Sequence, residues 1–318
     1  MSETERLAPD GAGLERAAAI LRAGGLVAFP TETVYGLGAD ATVARAVAGI
    51  YAAKDRPRFN PLIAHLPDAE GAAREGVFDE AAGRLAQAFW PGPLTLVVPA
   101  APGCTVSDLA RAGLDTVALR VPAHPVAQDL LRRVGRPVAA PSANRSGHVS
   151  PTHAAHVLSD LAGRIHAVLD GGPTAVGVES TIVSCLGPPR LLRPGGVPRE
   201  AIEAALGRTL PGAEAGPLLA PGMLASHYAP RAPLRLGADR IEAGETALLF
   251  GPHDPPGAEG AVRLNLSPAG DLAEAAANLF SHLRALDAAG AAAIAVAPIP
   301  EQGLGEAIAD RLRRAATR

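Results

Sequence analysis

Lys54 is the only lysine in a chain whose 29 Lys and Arg positions are otherwise all arginine. It stands in "YAAKDRPRFNPLIAH", residues 51–65, with Arg56, Arg58, Asn60 and His65 close behind. An ammonium is a compact, hydrated point charge on a flexible stem, suited to a phosphate or carboxylate that moves during a reaction. It would equally serve as the favourable cation at a helix C-terminus, worth about half a kcal/mol. Three cations in five positions repel one another unless an anion sits among them, although salt weakens that repulsion on an open surface.

Four more polar segments carry residues able to do chemistry. "PTETVYGLGADA" (30–41) forms a turn after a buried apolar run, and strand-end crevices are where ligands bind to open α/β sheets. Its Thr31 and Thr33 hydroxyls can donate to a carboxylate or accept from an ammonium; alternatively they cap a solvated turn. "ALRVP" (118–122) ends a strand at Arg120, well placed for a bidentate carboxylate clamp. "APSANRSGHVSPTHAAH" (140–156) offers Ser142, Asn144, Ser146 and Ser150, a set that can wrap phosphates or form a polar turn before a helix capped by Thr152. "DGGPTAVGVEST" (170–181) adds glycines for close backbone approach, then Ser180 and Thr181 at a strand start.

Several familiar chemistries find little or no support in the motifs. A Walker A loop needs Gly-Lys-Ser/Thr, and the one lysine follows Ala53. "GLGADA" (36–41) imitates a dinucleotide fingerprint, but six residues separate it from the preceding strand and the next strand ends in His65, not an acid. Ser142 and Ser180 lie outside any G-x-S-x-G elbow. His153 and His156 have no third metal ligand nearby. Cys104 and Cys185 form neither a disulfide framework nor a metal cluster, which fits a reducing cytosol.

Alternating short apolar runs and helical patterns set these segments on an α/β fold with a largely mixed sheet. Strands are expected at 26–29, 61–65, 94–98, 117–121, 137–140, 167–170, 180–184 and 190–193. Helices are expected at 14–23, 43–54, 79–89, 125–134, 152–158 and 198–206. From Gly207 to Pro233 the period breaks into Gly and Pro. A second series follows, with strands at 246–250, 262–266 and 292–297 and helices at 271–287 and 304–315. The division is therefore a large domain (10–207), an arm (208–233) and a small α/β domain (234–318). Net charge is −3 and aromatics are 3%, against a nucleic-acid-coating or base-stacking protein. An acidic, polar N-terminus and no long apolar run make a soluble, cytoplasmic protein the expectation.

Taken together, "PTETVYGLGADA", "KDRPRFNPLIAH", "WPGPLTLV", "ALRVP", "PSANRSG", "GVESTIVS", "LLRPGG" and "SHYAP" resemble the long, two-domain form of the YrdC-like threonylcarbamoyl-AMP synthase family. The resemblance covers about residues 14–230 and implies a YrdC-like open twisted mixed sheet with helices, plus a small C-terminal Rossmann-like domain. It implies synthesis of L-threonylcarbamoyladenylate from L-threonine, bicarbonate and ATP, with Mg²⁺ accompanying the ATP and pyrophosphate leaving. The product would pass to a tRNA threonylcarbamoyl transferase for N6-threonylcarbamoyladenosine at tRNA position 37, with no stable nucleic-acid or membrane binding here. By the same resemblance, Lys54 and Arg56 are catalytic. Lys54, Arg56, Asn60, Thr116, Ser142, Ser150, Arg193 and Tyr228 hold ATP. Thr31, Thr33, His65, Arg120, Ala140 and Ser180 hold threonine, and Tyr228 closes the site as a lid. Two rivals remain: a non-catalytic RNA-binding protein with a cationic cleft, and a carbamoyl-adenylate enzyme using carbamoyl phosphate.

Overall fold

The structure, a computed structural model, describes residues 3–57, 60–212 and 228–317. The large domain opens with the strand β1 (Glu5–Leu7), the helix α1 (Gly11–Arg22) and a hairpin of β2 (Val27–Pro30) and β3 (Tyr35–Asp40). Next come α2 (Ala44–Lys54), β4 (Ile63–His65), α3 (Ala69–Glu75), α4 (Glu80–Phe89), β5 (Leu94–Pro99) and β6 (Thr116–Arg120). They are followed by α5 (Pro125–Val134), β7 (Val138–Ala139), α6 (Ala154–Leu161), β8 (Ala167–Leu169), β9 (Thr181–Ser184), β10 (Arg190–Arg193) and α7 (Arg199–Leu206). The small domain holds β11 (Leu234–Leu236), β12 (Glu245–Leu249), β13 (Arg263–Asn265), α8 (Leu272–Ala288), β14 (Ala293–Val296) and α9 (Leu304–Ala316).

Among the described residues the large sheet runs β1-β8-β2-β3-β7-β4-β6-β5-β9-β10 and mixes parallel with antiparallel pairs. The small sheet runs β11-β14-β12-β13, and its pairs are all parallel. Register decides what the large sheet shows on each face. Ile63 pairs with Ala118 and His65 with Arg120, so the period of two sets these four on one face. Ala64 and Leu119 point instead into the helix-covered core. A slip of one residue would drive Arg120 into that core, so the apolar pattern fixes the site as well as the sheet.

Helix ends follow ordinary capping chemistry. The Asp10 carboxylate accepts from Gly13 N–H at the start of α1, and Asp271 accepts from Ala273 and Glu274 N–H at the start of α8. α2 ends at Lys54 because Asp55 adopts a left-handed φ of 53°, a conformation aspartate tolerates. Ion pairs from Arg145 and Arg164 hold that Asp55 carboxylate in place.

Three features differ from the expected pattern. Residues 35–40 form a strand rather than a turn. Gly38 is small because a Cβ there would come within 2.8 Å of the Phe29 ring, so this "GLGADA" serves sheet packing. Thr152 does not cap α6; His153 takes the N-cap position without a side-chain bond, while the Thr152 hydroxyl faces His153 and His156. β1, α3 and β11 are too short for their periods to be read from sequence.

The large core takes in Leu206 and Leu210, and Gly212 bridges Leu191, so this domain runs past residue 207. Most of the expected arm, 213–227, lies outside the described residues, as does Arg58. Tyr228 and Ala232 belong to the small domain's apolar core, together with Val34, Val149 and Val178 of the large domain. The two cores therefore meet across the loops that carry the candidate site. At Gly177, whose φ is 75°, an added Cβ would lie 2.3 Å from Ala276 O in α8. Among the described residues no helix is long and apolar enough to cross a membrane.

Candidate active site

One cavity opens where the β2–β3 hairpin turn, the ends of β4 and β6 and the loop before β9 converge. All six residues expected to hold threonine line it: Thr31, Thr33, His65, Arg120, Ala140 and Ser180. The hairpin turn sets the polarity of its hydroxyls. Thr31 Oγ1 donates its single proton to Val34 O at 2.7 Å, so Thr33 Oγ1, 2.8 Å away, must donate to Thr31. Thr33 is left with lone pairs for the cavity, which suits an amine N–H rather than a carboxylate. His65 is pushed down to about 3 by burial and by the Arg120 charge, so its ring is neutral at physiological pH. Its Nδ1 lies 3.2 Å from Ile63 O.

Arg120 is less available than its position suggested. Its Nη2 pairs with Glu32 Oε1 at 2.6 Å and its Nε donates to Gly92 O at 3.3 Å. The other Glu32 oxygen accepts from Ala123 N–H, so this carboxylate ties the hairpin turn to the end of β6. A substrate carboxylate would share Arg120 with Glu32 rather than find it unengaged. Ser180 Oγ lies 2.8 Å from Thr95 Oγ1, and Arg193 donates through Nε and Nη2 to Ser180 O.

Of the residues expected to hold ATP, Arg56, Ser142, Arg193 and Tyr228 also line the cavity. Arg56 is 8% exposed and burial pushes its guanidinium down to about 10. Among the described residues nothing accepts from its Nε, which is buried. A buried cation with an idle donor is costly unless an anion arrives to meet it. Burial likewise lowers Arg193.

The other four stand off the cavity wall. Lys54 is 1% exposed, and Nζ donates to the backbone oxygens of Ser142 and Asn144 while Lys54 O accepts from Ser146 N–H. The lone lysine thus staples the loop that presents Ser142, and burial, reinforced by Arg56, lowers its pKa well below the ordinary range. Asn60 is buried, and its Oδ1 has no partner among the described residues. Ser150 donates to Glu179. Thr116 shares a face with Ala118 and Arg120 but sits at the other end of β6, about 13 Å from Arg120 at 3.3 Å per residue. Between these ends Ile63, Val97, Ala118, Ile182 and Leu192 form an apolar strip.

Two carboxylates escaped the reading of the sequence. Glu32 stood within a quoted motif, and its only signal was an acid between two threonines. Glu179 lines the cavity and is 6% exposed. Burial alone would raise its carboxyl, but Arg311 and Arg193, with hydrogen bonds from Ser150 and Arg311, hold it down to about 2.

A mixed sheet with ligand-facing strand ends, joined to a small parallel α/β unit, defines a YrdC-like protein of the two-domain kind. Comparison with known families agrees. A family described as telomere recombination matches residues 19–195, and one described as threonylcarbamoyl-AMP synthase, C-terminal domain, matches 197–317. The threonylcarbamoyl-AMP synthase of Bacillus subtilis is 42% identical over 332 residues, covering 98% of this chain and 95% of that one. The Pyrococcus abyssi protein of that name is 42% identical over 318 residues, covering 94% and 92%. The crystal structure of P. abyssi Sua5 complexed with L-threonine superposes with a TM-score of 0.88 at 39% identity, covering 99% and 98%. The chain belongs to the threonylcarbamoyl-AMP synthase family.

Proposed function

We propose that the chain is an enzyme that combines L-threonine, bicarbonate and ATP into L-threonylcarbamoyladenylate and releases pyrophosphate. The observation that carries this reading is the meeting of all six expected threonine residues with Arg56 and Arg193 in one cavity. The threonine amine attacks bicarbonate, giving a carbamate with loss of water. A carbamate oxygen then attacks the α-phosphorus as the bond to pyrophosphate breaks. Such transfers depend on positioning and charge neutralisation more than on covalent catalysis.

Each part of the wall has a task in that scheme. Thr33 accepts from the amine, and Arg120 with Ser180 takes the carboxylate. Thr31 holds the Thr33 rotor, while the neutral His65 and small Ala140 leave room and add no charge. Arg56 and Arg193 neutralise phosphate oxygens, and Lys54 holds the loop of Ser142 beside them. Asn60, Thr116 and Ser150 would serve the nucleotide from behind and beyond the cavity. Tyr228 closes the wall against water, which would hydrolyse both carbamate and mixed anhydride. Mg²⁺ supplies further charge neutralisation when it arrives on ATP. The chain's own share of that neutralisation falls to Arg56 and Arg193 on the cavity wall. The product passes in the cytoplasm to a separate tRNA threonylcarbamoyl transferase acting at position 37.

The RNA-binding alternative fits poorly, because a phosphate backbone is met by surface cations. Here Arg56, Arg120 and Arg193 are 8%, 4% and 4% exposed. Pyrophosphate release from ATP and Mg²⁺, with L-threonine and bicarbonate each omitted in turn, tests the reading. Release that needs both supports it; release without threonine, or with carbamoyl phosphate in place of bicarbonate, points to another acceptor or donor.

A further inference from the structure

Arg311 lies on α9, 132 residues from Glu179 in sequence, and its side chain is 0% exposed. Its Nε donates to Glu179 Oε2 at 2.7 Å, and its Nη1 donates to Pro194 O at 2.9 Å and to Asp310 at 2.7 Å. The guanidinium carbon lies 5.2 Å from the centroid of the Tyr228 ring, which stacks on Phe280 of α8 at 5.6 Å. The other Glu179 oxygen accepts from Ser150 Oγ. One side chain of the small domain therefore touches a carboxylate and a ring of the cavity wall, and the backbone beside Arg193.

Docking the domains does not require this arrangement. Arg199 pairs with Glu306 and Arg284 with Asp160 across the same boundary, and the apolar contact at Val34, Val149 and Val178 is continuous. A fully buried ion pair adds little net attraction, because desolvation of both charges offsets their mutual gain. Its distinctive effect is to fix positions.

We propose that Arg311 is a positioning residue for the nucleotide end of the cavity, fixing Glu179, and through it Ser150, together with the Tyr228 ring. The small domain is then part of the site rather than an appendage. The proposal rests on reading the cavity as a site for threonine and ATP.

The test uses the full chain. Steady-state pyrophosphate release yields KM for ATP and for threonine, and calorimetric titration with Mg²⁺ and α,β-methylene ATP yields nucleotide affinity without turnover. Arg311→Met is expected to raise the ATP KM and the analogue Kd by roughly tenfold to a hundredfold, with little change in the threonine KM. Arg311→Lys should recover part of that loss. Arg199→Ala, which breaks a docking pair away from the cavity, should match the wild type in both constants. If Arg311→Met does not fold, the double variant Glu179→Gln, Arg311→Met removes both charges together and decides the matter. Wild-type analogue affinity in the double variant overturns the proposal. So does an equal rise in both KM values, or an Arg199→Ala loss as large as that of Arg311→Met. Wild-type release that ignores threonine would sink the reading of the reaction, while the analogue titration would still decide the role of Arg311.

Discussion

Each end of the cavity is held by an arginine–glutamate pair, half-buried at one end and buried at the other, and the two pairs face opposite ways. At the threonine end Arg120 lines the cavity and Glu32 stands behind it, 2.6 Å away. At the other end Glu179 lines the cavity and Arg311 stands behind, 2.7 Å away. The first pair presents a partly neutralised cation, suited to an amino-acid carboxylate. The second presents a carboxylate to a region otherwise rich in guanidinium groups, and such a charge is tolerable near phosphates only if cancelled from behind. Arg311 and Arg193 supply that cancellation, which explains why an arginine of the small domain is buried at all.

Variants can break the comparison at either end. The largest effect is expected from Lys54→Arg, which should cut pyrophosphate release roughly a hundredfold and also lower the thermal midpoint, because a larger side chain must fit where Lys54 is 1% exposed. A planar fork cannot reproduce the two bonds of the ammonium to Ser142 O and Asn144 O; near-wild-type turnover would reduce Lys54 to a helix-end cation. Arg120→Ala should raise the threonine KM well above any change for ATP. It should also cost about 1–3 kcal/mol in urea unfolding, because the half-buried Glu32 carboxylate loses its guanidinium partner and keeps only the Ala123 N–H. Equal effects on both substrates would contradict the assignment of the two ends. Arg56→Met should raise the ATP KM about tenfold while changing unfolding stability little, since among the described residues its Nε has no partner and its Nη2 makes only a long 3.5 Å bond to Pro61 O. A loss of stability comparable with Arg120→Ala would show that Arg56 is paired in solution.

The smallest effect concerns pH. His65 is held near 3 by burial, then by Arg120, against an ordinary 6.5. The unfolded chain takes up this proton near pH 6.5 and the folded chain does not, so the contribution is full above 6.5 and falls as pH drops toward 3. The slope from one such group is about 1.4 kcal/mol per pH unit. His156, pushed down to about 4, adds to the same trend. His65→Gln should remove one increment of slope from urea midpoints measured between about pH 6 and pH 4.5. An unchanged slope would mean that His65 is solvated or already charged.

The gathering of Thr31, Thr33, His65, Arg120, Ala140 and Ser180 on one cavity wall was legible because they lie in short motifs at strand ends, where a period-two pattern also gives the facing side. Arg120 and His65 share a face for that reason alone. β3 was hidden because Gly36 and Gly38 look like turn residues, whereas the ring of Phe29 and the side chain of Ala140 require them small. Lys54 was legible as singular but not as a staple, since its partners are backbone oxygens of a distant loop. Arg311 gave no local signal. It stands in "RLRRAATR", where cations near a helix C-terminus are the ordinary expectation, and only the packing of α9 on the large domain distinguishes it from Arg313 and Arg314.

Gly177 carries a different implication. With its Cβ position 2.3 Å from the backbone of α8, this loop can meet the small domain as it does only with glycine at 177. A chimera joining this large domain to a relative's C-terminal half would need a helix able to nest on Gly177 and an arginine able to reach Glu179, and inheriting one without the other would leave a folded protein with a misassembled wall.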